Sequence, residues 1–298
     1  MDWELREVWG DNAGVRIHSF EWVPRTGAPG LPIVFIGGGN GNAWRGEPHG
    51  QAAALGRIGA RRRSLLSVSR RGFGLSDAPP SGYTPSHFAC DVRAVVDSAG
   101  YEGFVLFGHS MGVPISLELA LASPRGIAGV ALGDAPAQYI NFKASHTFDA
   151  MLARPFEFES WDAAFDVIAT KTADPAEDRL RFDRSRHRWL AEVGGRVRLL
   201  ENRNALARTV DESADAETAY WDRLGELRCP VLLLDATEGW TPLSDSDVER
   251  YRAAVADLAV ARLPTAHDLG LGSDLSHLHA ALGAFLDRLD EDREARAS

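Results

Sequence analysis

Short, almost wholly apolar runs alternate along this chain with stretches whose apolar residues recur at helical spacing. LPIVFI, SLLSVS, GFVLFG and GIAGVALG read as parallel strands buried on both faces. PHGQAAALGRIG, TPSHFACDVRAVVDSAG and VPISLELALASP separate them and read as helices; in the second, Phe88, Val92, Val95 and Val96 share one face. Upstream, ELREVW and VRIHSFEW alternate well enough to predict an antiparallel edge hairpin turning at DNAG. Strand and helix alternation of this kind predicts an α/β protein with a doubly wound, mostly parallel sheet.

After DAP at 134–136 the rhythm changes. Residues 137–222 carry many charges, with aromatic residues at helical intervals in FEFESWDAAFDVI and RHRWLAEV, and predict a helical insertion. The parallel pattern resumes with CPVLLLDA, a helix at SDSDVERYRAAVA, the strand LAVARL and the amphipathic helix DLSHLHAALGAFLDRL. The polar tail EDREARAS is expected to fray. The organisation is thus a core of residues 1–136 and 223–298, interrupted once by a cap at 137–222. That insertion would lie over the carboxyl ends of the strands, where open α/β sheets bind ligands. Its aromatics Phe142, Phe148, Phe156, Phe158 and Trp161 are expected mostly to pack the insertion on itself, with any that face the site favouring a hydrophobic substrate.

Composition narrows the partners. The 298 residues are 45% hydrophobic and 25% charged, ordinary globular material. A formal net charge of −10 repels nucleic acid and anionic membrane surfaces, and the Arg61-Arg62-Arg63 run reads as a solvated loop. No apolar run approaches the ~18 residues of a membrane span, and the N-terminus lacks a secretory signal. Cys90 and Cys229 are expected as reduced, packed thiols, which suits a cytoplasmic protein. With neither CxxC nor HExxH, no metal or other cofactor is expected; the partner is a small-molecule substrate, and the sequence is silent on oligomeric state.

The chemistry-bearing motif is Gly108-His109-Ser110-Met111-Gly112, set between the strand GFVLFG and the helix VPISLELA. A G-x-S-x-G at a strand-to-helix turn forces a sharp bend that lifts the serine hydroxyl out at the top of the sheet. Side chains at the two glycines would collide with the neighbouring strand and helix, and the helix behind Ser110 aims its positive end at any oxyanion formed. A serine nucleophile further needs oxyanion donors, a base and a carboxylate to orient that base. One donor is the N–H of Met111, the residue after the nucleophile. The best-placed base is His267, just past the strand LAVARL. His18 sits in the hairpin, His87, His187, His277 and His279 sit on helices, and His109 lies inside the turn.

Together with SRRGFGLSDAP, YTPSHFACDVRAVVD and the late histidine segment, GHSMG resembles the α/β-hydrolase superfamily over nearly the whole chain. The resemblance is to its cap-bearing branch of esterases, lactonases, cofactor-free haloperoxidases and carbon–carbon bond hydrolases. It implies the α/β-hydrolase fold with a helical cap and a Ser-His-acid triad. Where the family has His-Gly-X, this chain has Gly37-Gly38-Gly39; the match makes the Gly39 N–H the second oxyanion donor, with altered support for the loop. Where the family has Gly-His, this chain has Ala266-His267. The family's usual acid position, in the loop after CPVLLLDA, falls on Gly239. Glu238 stands one residue early and is the first candidate for the acid. Asp134, at the end of the preceding strand, is the alternative, as some family members place their acid there. Asp235 is expected inside its strand, and Asp268 is too near His267 in sequence to orient its ring.

A serine at 110, where dehalogenases and epoxide hydrolases carry aspartate, points to an acyl-enzyme rather than an alkyl-enzyme. The expected reaction is hydrolysis of an ester, lactone or related acyl bond of a small, largely hydrophobic substrate. Carbon–carbon hydrolysis, perhydrolysis or a biosynthetic cyclisation on the same serine is the alternative, and a non-catalytic ligand-binding homologue is a third reading.

Overall fold

A computed structural model describes residues 3–27, 29–39, 55, 58–138, 146–169, 173–186, 190–215, 220–239, 241–269 and 274–297. The chain opens with strands β1 (Trp3–Asn12) and β2 (Val15–Pro24), an antiparallel pair in register from Trp3 opposite Pro24 to Asn12 opposite Val15. Ala13 and Gly14, the two linking residues, both have positive φ, 53° and 86°. Such a turn matches the right-handed twist of its strands. Then follow β3 (Ile33–Ile36), β4 (Leu65–Val68), helix α1 (Pro85–Ala99), β5 (Phe104–His109), α2 (Gly112–Ala122) and β6 (Ile127–Gly133).

After the insertion come β10 (Val231–Ala236), helix α7 (Asp245–Ala254), β11 (Leu258–Leu263) and α8 (Ser276–Ala297). One eight-stranded sheet results, in the order β1-β2-β4-β3-β5-β6-β10-β11. All its pairings from β4 onward are parallel, and the hairpin joins antiparallel at β4.

The apolar strands face two cores alternately. Val34, Ile36, Leu66, Val68, Leu106, Val130 and Leu233 pack with α1, α2 and α7. Ile33, Phe35, Leu65, Val105, Phe107, Leu232 and Leu234 pack on the other face with Leu278, Leu282, Phe285, Leu286 and Leu289 of α8. Period-two alternation within wholly apolar strands is what a sheet covered on both sides requires.

Two expectations change. The tail does not fray: α8 runs on to Ala297. Arg63, expected in a solvated loop, is fully buried, and its Nη1 lies 2.7 Å from an oxygen of the equally buried Asp290. Asp290 also accepts the Leu31 N–H, and Arg61 pairs with Glu294 one turn further on. The arginine run therefore fastens the last helix to the first half of the chain. A lone buried charge is costly, so the pair stands or falls together.

Among the described residues between β6 and β10, no strand joins the main sheet. This stretch carries α3 (His146–Ala153), β7 (Glu157–Phe158), α4 (Trp161–Ile168), α5 (Pro175–Ser185), β8 (Leu190–Val193), β9 (Arg196–Leu199), α6 (Arg203–Asp215) and a 3₁₀ turn at Trp221–Glu226. Part of the expected helical pattern is instead a small antiparallel sheet, β7-β9-β8: β7 opens FEFESWDAAFDVI and β8 takes the LAEV of RHRWLAEV, and the β8–β9 hairpin turns at Gly194 and Gly195. Phe158, Ala164, Phe182, Leu190, Val197 and Leu199 form its own core, with Phe156 and Trp161 packed against it. Phe142 and the Phe148 side chain lie outside the described residues. Backbone bonds from Gly74 N–H to Leu200 O and from Asn202 N–H to Gly72 O tie the end of this small sheet to the turn after β4.

Candidate active site

The turn between β5 and α2 is as tight as its glycines predict. A Cβ on Gly108 would lie 2.4 Å from both the Gly112 carbonyl oxygen and Ser116 Oγ; one on Gly112 would lie 2.0 Å from the Ile36 carbonyl oxygen. Only hydrogen fits at either position. Ser110 between them has φ of 54°, in the left-handed region that a side chain disfavours, and its N–H donates to Gly133 O at 2.9 Å. Met111 follows, 2% exposed, and α2 begins at once behind it.

Four non-glycine residues among those described have positive φ, and besides Ala13 of the hairpin they are Ser110, Asp134 and Leu269. Each of these three stands at the exit of a parallel strand or in the loop beyond it. Backbone strain gathered at one rim of a sheet is a sign of function.

Asp134, one residue past β6, is fully buried. Its Oδ2 lies 2.6 Å from His267 Nδ1, and its Oδ1 accepts the Ala236 N–H at 3.4 Å. Burial raises the Asp134 carboxyl above its ordinary value; the hydrogen bond to His267, that ring's charge and the Ala236 N–H pull the other way. The carboxylate at hydrogen-bond distance from the histidine is thus Asp134 and not Glu238, the first candidate from sequence. The chain after β10 explains the difference. Thr237 and Glu238 donate their N–H groups to Leu263 O and Thr265 O, so this loop runs alongside the exit of β11 with the Glu238 side chain exposed. Gly239, at φ 71°, turns the chain with open space on its Cβ side. Asp235 is held by Arg262 Nε at 2.8 Å, within its strand as expected.

His109 is held apart from the Asp134–His267 pair's hydrogen bond. Burial, reinforced by the charge of His267, lowers its imidazole to about 4, so it is neutral at ordinary pH. Its Nε2 sits 2.7 Å from the His267 carbonyl oxygen, with the two rings 4.9 Å apart. A neutral ring with its proton on Nε2 donates to that carbonyl and fixes the backbone carrying His267. This contact links the residue before Ser110 to the histidine loop.

On the other side of the serine, Gly38 comes close enough that a Cβ there would meet Ser110 Cβ at 3.0 Å and Oγ at 3.5 Å. Gly39 follows with no heavy atom within 4 Å of its Cβ position, and Asn40 and Gly41 lie outside the described residues. Sequence reasoning missed Arg70. It is fully buried, and its Nη2 donates to Gly38 O at 2.8 Å and to Gly39 O at 3.1 Å. The signal available was the charged residue next to the family-like Arg-Gly turn, where Arg71 makes a bidentate pair with Asp91.

Among the described residues no cluster of histidine, cysteine and carboxylate side chains suits a metal ion, and no helix is long and apolar enough to cross a membrane. Both cysteines are free thiols, but Cys90 is exposed on α1 rather than packed as expected; burial raises Cys229 to about 11, which makes it a poor nucleophile.

Known proteins place this geometry in a family. A Klebsiella pneumoniae protein provisionally named carbamate hydrolase RutD is 33% identical over 108 residues, which are 35% of this chain and 38% of the relative. A 2-(acetamidomethylene)succinate hydrolase from Mesorhizobium japonicum is 28% identical over 175 residues, 58% of this chain and 60% of that one. The match thus spans less than two thirds of the length of these relatives. The crystal structure of E-2-(acetamidomethylene)succinate hydrolase superposes with a TM-score of 0.69 at 21% identity, covering 96% of this chain and 99% of the other, a likeness of fold. The model of the alpha/beta hydrolase family matches residues 33–286, and the chain belongs to that family.

Proposed function

We propose that this α/β hydrolase is a serine hydrolase cleaving an acyl bond through a covalent intermediate on Ser110. The observation that carries the reading is the 2.6 Å contact between buried Asp134 and His267 Nδ1, at the same rim of the sheet as the strained Ser110. An N–H on Nδ1 donating to Asp134 leaves Nε2 as the proton acceptor, the tautomer a general base requires. In this reading His267 Nε2 takes the Ser110 proton as Oγ attacks the substrate carbonyl. The developing oxyanion receives the N–H groups of Met111 and Gly39 at the positive end of α2. Collapse expels the leaving group, protonated by His267, and water activated by the same ring releases the acid.

The substrate class is an ester, lactone or related acyl compound. The names of the relatives add carbamates and acetamido compounds to that class.

The test is intact mass after treatment with a fluorophosphonate, run beside turnover of 4-nitrophenyl esters, a lactone and an aryl carbamate. Wild type is expected to gain one phosphonyl adduct, with Ser110→Ala and His267→Ala silent. Absence of both adduct and turnover in folded wild type would favour the ligand-binding reading instead.

A further inference from the structure

Neighbouring arginines after β4 turn to different partners. Arg71 is neutralised by Asp91, with contacts of 2.6 and 2.7 Å, and donates to Gly82 O. Arg70 reaches toward the active site. Its guanidinium touches both residues proposed to stabilise the oxyanion: Nη2 meets the carbonyls of Gly38 and Gly39, and Nη1 lies 3.8 Å from Met111 Sδ. Phe73 and Phe88 flank it, their ring centroids 4.9 and 5.3 Å from Cζ, and hold the plane of the group. Being fully buried, it is shut off from solvent.

The peptide unit turns these contacts into a consequence for the site. In a trans peptide the C=O of one residue and the N–H of the next point in opposite directions within one plane. The hydrogen bond that holds the Gly38 carbonyl toward Arg70 therefore holds the Gly39 N–H away from it, while the second bond anchors the Gly39 carbonyl. Gly38 and Gly39 carry no side chains to restrain that plane, and Gly37 offers none to brace the loop. Left alone, such a segment samples many orientations, and each reduces the time its N–H is aligned. Both bonds come from one guanidinium nitrogen whose N–H directions are fixed in a plane, whereas a lysine ammonium has enough donors but no such fixed plane.

Resting on the serine-hydrolase reading above, we propose that Arg70 is the positioning residue of the oxyanion site, locking the Gly38–Gly39 peptide so that the Gly39 N–H faces the reacting carbonyl.

The experiment compares wild type, Arg70→Met and Arg70→Lys, each checked for folding by circular dichroism and melting temperature. Phosphonylation rate is measured against pH, 4-nitrophenyl butyrate turnover is resolved into kcat and KM, and affinity is measured for butylboronic acid, a tetrahedral analogue. Arg70→Met should lose about a hundredfold in phosphonylation rate and boronate affinity, the size of losing one oxyanion donor. Its KM and the pH midpoint of labelling should stay where they are, and Arg70→Lys should recover only part of the loss. In Arg70→Ala, guanidinium ion at sub-denaturing concentration should restore the rate. A folded Arg70→Met that labels at the wild-type rate would overturn the proposal. So would a shifted pH midpoint with an unchanged plateau, since that would mean Arg70 acts through His267. Hydrogen exchange at the Gly39 amide keeps the two readings apart: even if wild type fails to label, exchange should quicken at least tenfold in Arg70→Met, and unchanged exchange would sink the role of Arg70 by itself.

Discussion

Strands β6 and β10 run side by side and parallel, each with an aspartate at or just past its exit, yet of these two only Asp134 bonds to the histidine. Asp134 and Asp235 leave neighbouring strands at the same level, the Asp134 N–H bonding to Leu234 O. At Asp134 the chain kinks to φ 48° and aims the carboxylate inward. At Asp235 it stays extended for one more residue, and the side chain is taken by Arg262. Adjacent strands lie only about 4.8 Å apart. Either exit can therefore deliver a carboxylate to one imidazole, and the backbone conformation of a single residue decides which does.

The largest test of that comparison is Asp134→Asn, expected to cut kcat roughly a thousand- to ten-thousandfold while Ser110 and His267 remain in place. Placing the acid at the other exit sharpens it further. Asp134→Asn combined with Gly239→Asp should recover about tenfold or more of the lost rate, because aspartate tolerates the left-handed conformation Gly239 adopts better than most residues. No recovery in a folded double variant would show that geometry at the second exit forbids the role.

A stability measurement probes the cost of the inward acid. A carboxyl raised by burial weighs against the fold once ionised, so the penalty is present above its folded pKa and absent below the unfolded value near 3.8. Asp134→Asn should therefore melt no lower than wild type at pH 7, with any advantage shrinking as the pH falls toward 4. A clear drop in melting temperature at pH 7 would mean that the bond to His267 outweighs the burial. The smallest effects are expected at the second exit itself. Glu238→Gln should leave kcat within about twofold, its side chain being exposed. Arg262→Gln should lower the melting temperature only slightly and leave kcat unchanged, as the pair is open to water on the arginine side.

The same contrast explains what was legible in the sequence. The elbow could be read because its constraint is local: the steric need for Gly108 and Gly112 follows from any strand-to-helix turn this tight. The buried strands could be read for the same reason, each announcing itself by composition. The choice between Asp134 and Glu238 could not, since both are acids after apolar strands and only tertiary geometry separates them: the kink at Asp134 and the pairing of the Glu238 loop with the exit of β11. The small sheet in the insertion was hidden by length, with strands of two to four residues whose charged positions do not stand out from a polar helix. Arg70 and Arg63 were hidden by sequence distance, their partners lying 31 or more residues away for one and up to 227 for the other.

The last of these pairs bears on how the chain comes to be made. Asp290 takes the Leu31 N–H and the Arg63 guanidinium, so the opening layer of the sheet is completed by a residue synthesised 259 positions after Leu31. Until α8 emerges, the nascent protein holds a cation with no counter-charge and an uncovered face of Leu65, Phe35 and Val105. Such a contact, spanning nearly the whole chain, forms late and leaves the early segments reliant on shielding from aggregation meanwhile. A ribosome that stops even a few codons before Asp290 would thus release a chain whose first strands, though fully translated, have nothing to close them.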